Sequence, residues 1–304
     1  MAASTRRLEP SAARPAPAVQ QTALDLARVI PRLTIEARRV ATAAAMGVHG
    51  RRRAGVGENF WQFRHFSFGE SAARVDWRRS ARDDHLYVRE REWEAVHTVW
   101  LWIDRSASML FQSSLAPVAK VERALVLGFA LSDLLVRGGE RVGLIGSARP
   151  TATRAIVEKL AATLLADKAK PDDLPVNEPL APLTEAVLIG DFLSPADRII
   201  TCLNTLAARG ARGHLLMIAD PIEETFPFAG RAELVEPEDG ATLTAGRVQS
   251  LREAYVARLA AHREALREAT RRLGWSLTLH RTDRPASEGL LGIHPLLQAS
   301  GGRR

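Results

Sequence analysis

Asp104, Ser106 and Ser108 stand at alternate positions where the apolar run VHTVWLWI passes into DRSASM, residues 96–109. One carboxylate and two hydroxyls at this spacing put three hard oxygen donors on a single loop. Such a set suits Mg2+, with Mn2+ or Ca2+ as alternatives. A hard cation of this kind takes oxygen ligands and keeps waters, one of which a partner's carboxylate can replace. A site built this way can bind without performing a reaction. The plain structural reading of the same residues is a serine-rich turn that caps the next helix. Two more aspartates end apolar runs in the same manner, LIGD at Asp191 and MIAD at Asp220.

The elements that must position these side chains are legible from residue 96 onward. Apolar strands alternate there with amphipathic helices, the sequence form of an α/β fold with a doubly wound, mostly parallel sheet covered on both faces. The pattern predicts strands over 96–103, 141–145, 186–190, 214–219 and 275–280. It predicts helices over 117–137, 153–167, 195–209 and 247–273, with Ser194 and Pro195 opening the third of them. Residues 168–184 read as a Pro-rich acidic loop and 221–246 as an insertion with a short hairpin. Ligands of doubly wound sheets bind beyond the carboxyl ends of the strands. Asp104 and Asp191 are therefore expected to converge, with Asp220 as a further crevice residue.

Ahead of this domain (96–304), residues 1–20 read as a disordered lead-in of Ala, Arg, Pro and Ser. Residues 21–57 read as a basic helical arm and connector, its helix kinked or divided at Pro31. Residues 58–95 read as a small β-rich lobe. Its aromatics Phe60, Trp61, Phe63, Phe66 and Phe68 are expected to pack, and Arg64, Arg74, Asp76, Arg78 and Arg82 to pair internally.

The net charge of +7 is local. Residues 1–57 hold ten arginines and three acids, while the rest of the chain balances at 32 basic and 32 acidic residues. Nucleic-acid binding through the arm is the minor reading, since the balanced remainder offers no large phosphate footprint. The single cysteine, Cys202, excludes an intrachain disulfide and a cysteine zinc cluster. No apolar run reaches the ~18 residues of a membrane span, and no signal-peptide segment opens the chain, so a cytoplasmic location is expected.

DRSAS at the end of an apolar strand resembles the metal-ion-dependent adhesion site of von Willebrand factor A domains, over roughly Val96 to His280. The block GENFWQFRHFSFGESAARVDWRRSARDDHLYVREREWE, running into WLWIDRSASM, resembles the bacterial family called domain of unknown function 58. IADPIEETFPFAG at 218–230 fits the same family. The resemblance implies a von Willebrand A-like fold with a smaller β-rich lobe and an N-terminal helix. It also implies a MoxR-type AAA+ ATPase as partner. Asp104, Ser106 and Ser108 match the first motif, and Asp191 matches the later aspartate. The threonine that completes such sites has no clear counterpart. Thr184 precedes the strand leading to Asp191, whereas Thr151 and Thr153 follow the strand 141–145 and are expected on the ligand side, Thr153 being the candidate.

The expected function is non-catalytic protein recognition through this crevice, as adaptor of an ATPase in a chaperone-like assembly. The alternative is a metal-dependent hydrolase in which Asp104, Asp191 and Asp220 hold a cation that activates water. Against an enzyme, His97, His214 and His280 fall in strand patterns and read as core residues. HExxH, a G-x-S-x-G around Ser106 and a Walker lysine are all absent.

Overall fold

Ile30, Leu33, Ala37, Ala41 and Ala44 recur at helical spacing and are buried along one face of helix α1 (Val19–Val48). The computed structural model describes residues 19–48, 62–67, 71–72, 75–82, 84–90, 97–167, 172–235 and 242–301. The chain divides into two units, Gly47–Val96 and the remainder. Helix α1 runs through Pro31 without interruption. Buried Ile30 and Leu33 lie on either side of the proline, so packing outweighs the missing backbone hydrogen bond.

In the smaller unit, β1 (Gln62–His65) pairs antiparallel with β2 (Tyr87–Glu90), and α2 (Trp77–Ser80) lies between them in sequence. Asp76 caps α2 by accepting from the Arg79 amide at 3.0 Å. The Arg79 guanidinium sits 4.5 Å over the Tyr87 ring. Phe60, Trp61, Phe68 and Arg74 lie outside the described residues.

The larger unit continues with β3 (Thr98–Ile103), α3 (Lys120–Arg137), β4 (Arg141–Leu144), β5 (Ala148–Thr151), α4 (Ile156–Ala166), β6 (Thr184–Gly190) and α5 (Ala196–Ala207). There follow β7 (Arg212–Ala219), α6 (Pro221–Thr225), the hairpin strands β8 (Ala232–Val235) and β9 (Thr242–Ala245), α7 (Arg252–Arg272), β10 (Ser276–Arg281) and α8 (Ala286–Gly301). The main sheet has the order β10-β7-β6-β3-β4-β5. Every pairing in it is parallel except that of β5 with β4.

Alternation along the strands gives the sheet two apolar faces. Val99, Leu101, Ile103, Val187, Ile189, Leu216 and Ile218 share one cluster with buried residues of α1, α3, α4 and α8. Ala186, Leu188, Leu215 and Met217 share the other with residues of α5 and α7. Helix α1, read from sequence as part of an arm, thus contributes to the main core. Helix α3 is buried almost all round. Gly128 lets it approach the sheet, since a Cβ there would stand 2.5 Å from Ile103 Cδ1.

The chain leaves β3 for β4 on one side and later returns to β6 on the other. The carboxyl ends of β3 and β6 therefore frame a topological switch point, the expected place for a crevice. At the opposite ends of the strands, His97 and His214 flank the buried Glu185 at 3.8 and 3.7 Å. His214 and His280 are core residues, and His97 is partly buried.

Two stability effects follow. Truncation of Leu33, fully buried on α1, to Ala should cost about 2–5 kcal/mol in urea unfolding, whereas Ile35→Ala, at an exposed position of the same helix, should change little. Equal effects would mean that α1 is not part of the core. In β10, burial and then the Arg123 charge push the His280 imidazole down to about 4. The unfolded chain titrates near ~6.5 and binds the proton that the folded chain refuses. Stability should thus be lost as pH falls from about 6.5 toward about 4. His280→Leu should flatten that slope in thermal melts, and an unchanged slope would locate it elsewhere.

Candidate functional site

The three aspartates end three neighbouring strands, Asp104 after β3, Asp191 after β6 and Asp220 after β7. The Asp104 amide donates to the Ile189 carbonyl at 2.8 Å and extends the pairing of β3 with β6 by one residue. Gly190 makes room for the Asp104 carboxylate, because a Cβ there would stand 2.9 Å from Oδ2. Asp104 is 1% exposed. Its Oδ1 accepts from the Ser106 amide at 2.8 Å, which folds the loop back over the strand end. Its Oδ2 is buried and has no hydrogen-bond partner among the described residues.

Ser106 and Ser108 bring their hydroxyl oxygens within 3.2 Å of each other, and Ser108 donates to Asp191 Oδ2 at 2.7 Å. The motif and the distant aspartate are thus one hydrogen-bonded group. Arg105, between the motif residues, points away and binds the Leu164 carbonyl at 3.0 Å and Asp167 at 2.6 Å, at the end of α4. This alternation keeps the donors on one side of the loop and ties its other side to a helix.

Lys120, at the first position of α3, completes the group. Its ammonium is 1% exposed and lies 2.9 Å from Asp191 Oδ2 and 2.6 Å from Glu223 Oε1. Burial by itself would push its pKa down. The charges of Asp191 and Glu223 outweigh that and hold it above the ordinary lysine value. For Asp104 the balance runs the other way. Burial, then the Asp191 charge, push its carboxyl well above the usual range, against the Ser106 hydrogen bonds and the Lys120 charge.

Asp220 is part of the frame, and its carboxylate oxygens are already engaged. It caps α6 by accepting from the Ile222 amide at 2.9 Å, while Glu223 Oε2 accepts from the Asp220 amide at 2.8 Å. It also accepts from the Ser113 amide at 2.9 Å and the Ser113 hydroxyl at 2.5 Å. The loop after the serine motif is thereby fastened to the end of β7.

Thr153 is placed differently from the sequence expectation. Strand β5, which the sequence reading lacks, turns antiparallel after β4 and pairs Thr151 with Val142. The chain therefore travels back toward the amino edge of the sheet before Thr153, away from Asp104. Thr153 is exposed and accepts from the Ala155 amide at 3.3 Å ahead of α4.

The donors suit a hard cation in kind, with two serine hydroxyls, Asp191, and a buried Asp104 oxygen that lacks a hydrogen-bond partner among the described residues. Among the described residues no three His, Cys, Asp or Glu side chains gather into a metal cluster. A cation would therefore rest on two carboxylates and two hydroxyls, beside an ammonium already held by Asp191.

The family model described as "Protein of unknown function DUF58" matches residues 62–265, about two thirds of the chain. The chain belongs to the DUF58 family. Uncharacterized proteins of Mycobacterium bovis and Mycobacterium tuberculosis are 28% identical to it over 248 residues, covering 76% of each chain. Among solved structures, an aerotolerance-related membrane protein from Bacteroides fragilis matches with a TM-score of 0.40 and 16% identity. That match covers 67% of this chain and 99% of the other. BatB from Bacteroides thetaiotaomicron, described as a conserved hypothetical protein, matches with a TM-score of 0.39 and 15% identity, covering 67% and 98%. At this level neither neighbour bears on activity. No helix among the described residues is long and apolar enough to cross a membrane.

Within this DUF58 chain, sequence reasoning missed Lys120, Glu223 and Ser113. A lysine opening an apolar helix carries a weak signal, because surface lysines at that position are ordinary. Lys120→Met should cost about 3–5 kcal/mol, since it leaves two carboxylates uncompensated in a buried setting. Chemical denaturation checks this, and a loss below about 1 kcal/mol would show that water reaches the pair.

Proposed function

We propose that the crevice at the ends of β3 and β6 is a protein-recognition site on a von Willebrand A-like domain, and that the chain acts as a non-catalytic adaptor. The observation that carries the reading is the buried Asp104 Oδ2, without a hydrogen-bond partner among the described residues, beside the Ser106 and Ser108 hydroxyls at the topological switch point. The sheet order with its single antiparallel edge strand supports the fold assignment.

Asp104, Ser106, Ser108 and Asp191 would hold Mg2+, and the ion would supply a positive charge for a partner's carboxylate. The chain's own residues do the positioning. Ser108 orients Asp191, Ser106 orients Asp104, and Lys120 balances the charge behind them. Thr153 and Asp220 stand outside this donor set. A MoxR-type AAA+ ATPase is the partner we propose, on the family resemblance alone, with a cytoplasmic location to match.

Tagged full-length protein purified from its native host in Mg2+ buffer should retain an AAA+ ATPase, and Asp104→Ala should lose it while keeping a cooperative melt. Equal recovery with the variant would remove the crevice from the mechanism. Recovery of no ATPase by either protein would reject the proposed partner.

A further inference from the structure

His262, on α7, has a contact that the recognition reading leaves unused. Its Nε2 lies 2.7 Å from the carbonyl oxygen of Phe192. A carbonyl only accepts, so this nitrogen carries the hydrogen. Phe192 directly follows Asp191, is 1% exposed and has φ of 49°, in the left-handed region that bulky residues avoid. On the far side of the turn, the Leu193 amide donates to Asp191 Oδ1 at 3.3 Å. The strained turn is therefore closed from within by the aspartate and from outside by the histidine.

The same helix grips a second left-handed turn. Phe226 ends α6 with φ of 40°. Arg252 Nε donates to its carbonyl at 2.9 Å, and the Tyr255 ring stacks on its ring at a centroid distance of 4.6 Å. Arg263 pairs with Glu224 of α6 at 2.7 Å. Helix α6 also carries Glu223, the other carboxylate on Lys120. None of residues 252–265 is buried, and the core contacts of α7 begin at Leu266. The first turns of α7 are thus set against the crevice loops by these polar and ring contacts.

We propose that His262 is a positioning residue for Asp191: by holding the Phe192 carbonyl it maintains the left-handed turn that aims Asp191 at Ser108 and Lys120. The functional meaning rests on the reading above, in which Asp191 belongs to the recognition site. The geometric part can be tested without a partner or a divalent cation, by hydrogen exchange of the full chain followed by mass spectrometry.

His262→Leu removes the donor, whereas His262→Gln keeps an amide donor at that position. The leucine variant should raise exchange across residues 192–194 by up to about tenfold, the scale expected for losing one partly buried hydrogen bond. Strand β10 should keep its protection, and the glutamine variant should stay near wild type. Unchanged exchange at 192–194, an equal rise in both variants, or a rise spread over β10 would each overturn the assignment. Such a result would leave the Asp104→Ala capture experiment standing on its own.

Discussion

The group of side chains at the ends of β3 and β6 depends on one buried charge, the ammonium of Lys120. It lies at the start of α3, a helix buried almost all round, and joins the end of β6, through Asp191, to the start of α6, through Glu223. Taking three charges out of water carries a desolvation cost that Coulomb attraction offsets only when the partners are close and well aligned. The two short ion pairs meet that condition. Three segments far apart in sequence are fixed to a common point, and the serine loop is fixed in turn because Ser108 donates to the carboxylate that Lys120 holds. Asp104 stands at the margin of this arrangement. Its Gly190-lined niche buries the carboxyl and offers a hydrogen-bond donor to one of its oxygens only, so the charged form is disfavoured there.

The parts legible in the sequence were those that repeat a local rule. Strand-helix alternation from residue 96 led to the parallel sheet, and LWID and LIGD marked the strand ends whose aspartates the fold brings into one group with the serines. What escaped depends on long-range partners. Lys120 reads as a helix-opening surface residue until the opposing carboxylates are known. Asp220 has the same local pattern as Asp104, yet its oxygens go to Ser113 and the α6 amides. Strand β5 was missed because ARPT is short and contains a proline, and that omission sent Thr153 to the wrong edge. Helix α8 has the buried spacing Ala286, Leu290, Ile293 and Leu297, obscured by its glycines and by Pro295.

The N-terminal helix shows how composition can mislead where periodicity does not. Its arginines suggested a basic arm, and Arg32 and Arg38 do project to the surface, where they pair with Glu122 of α3 and Glu158 of α4. The opposite face is apolar at every turn from Ile30 to Ala44 and belongs to the main core. Exposed pairs of this kind contribute little to stability. They orient the helix, and the apolar stripe retains it.

The small strand β5 has a consequence for how molecules of this protein meet one another. It is the outer edge of the main sheet, where an uncovered strand would ordinarily template another chain. Pro150 has no amide hydrogen to offer, Arg149 adds an exposed charge, and the Pro150 carbonyl already accepts from Arg141 at 3.2 Å. Sheet-to-sheet growth is thereby discouraged along this side, and the turn back from β4 that supplies β5 also supplies the residues that blunt it as an edge.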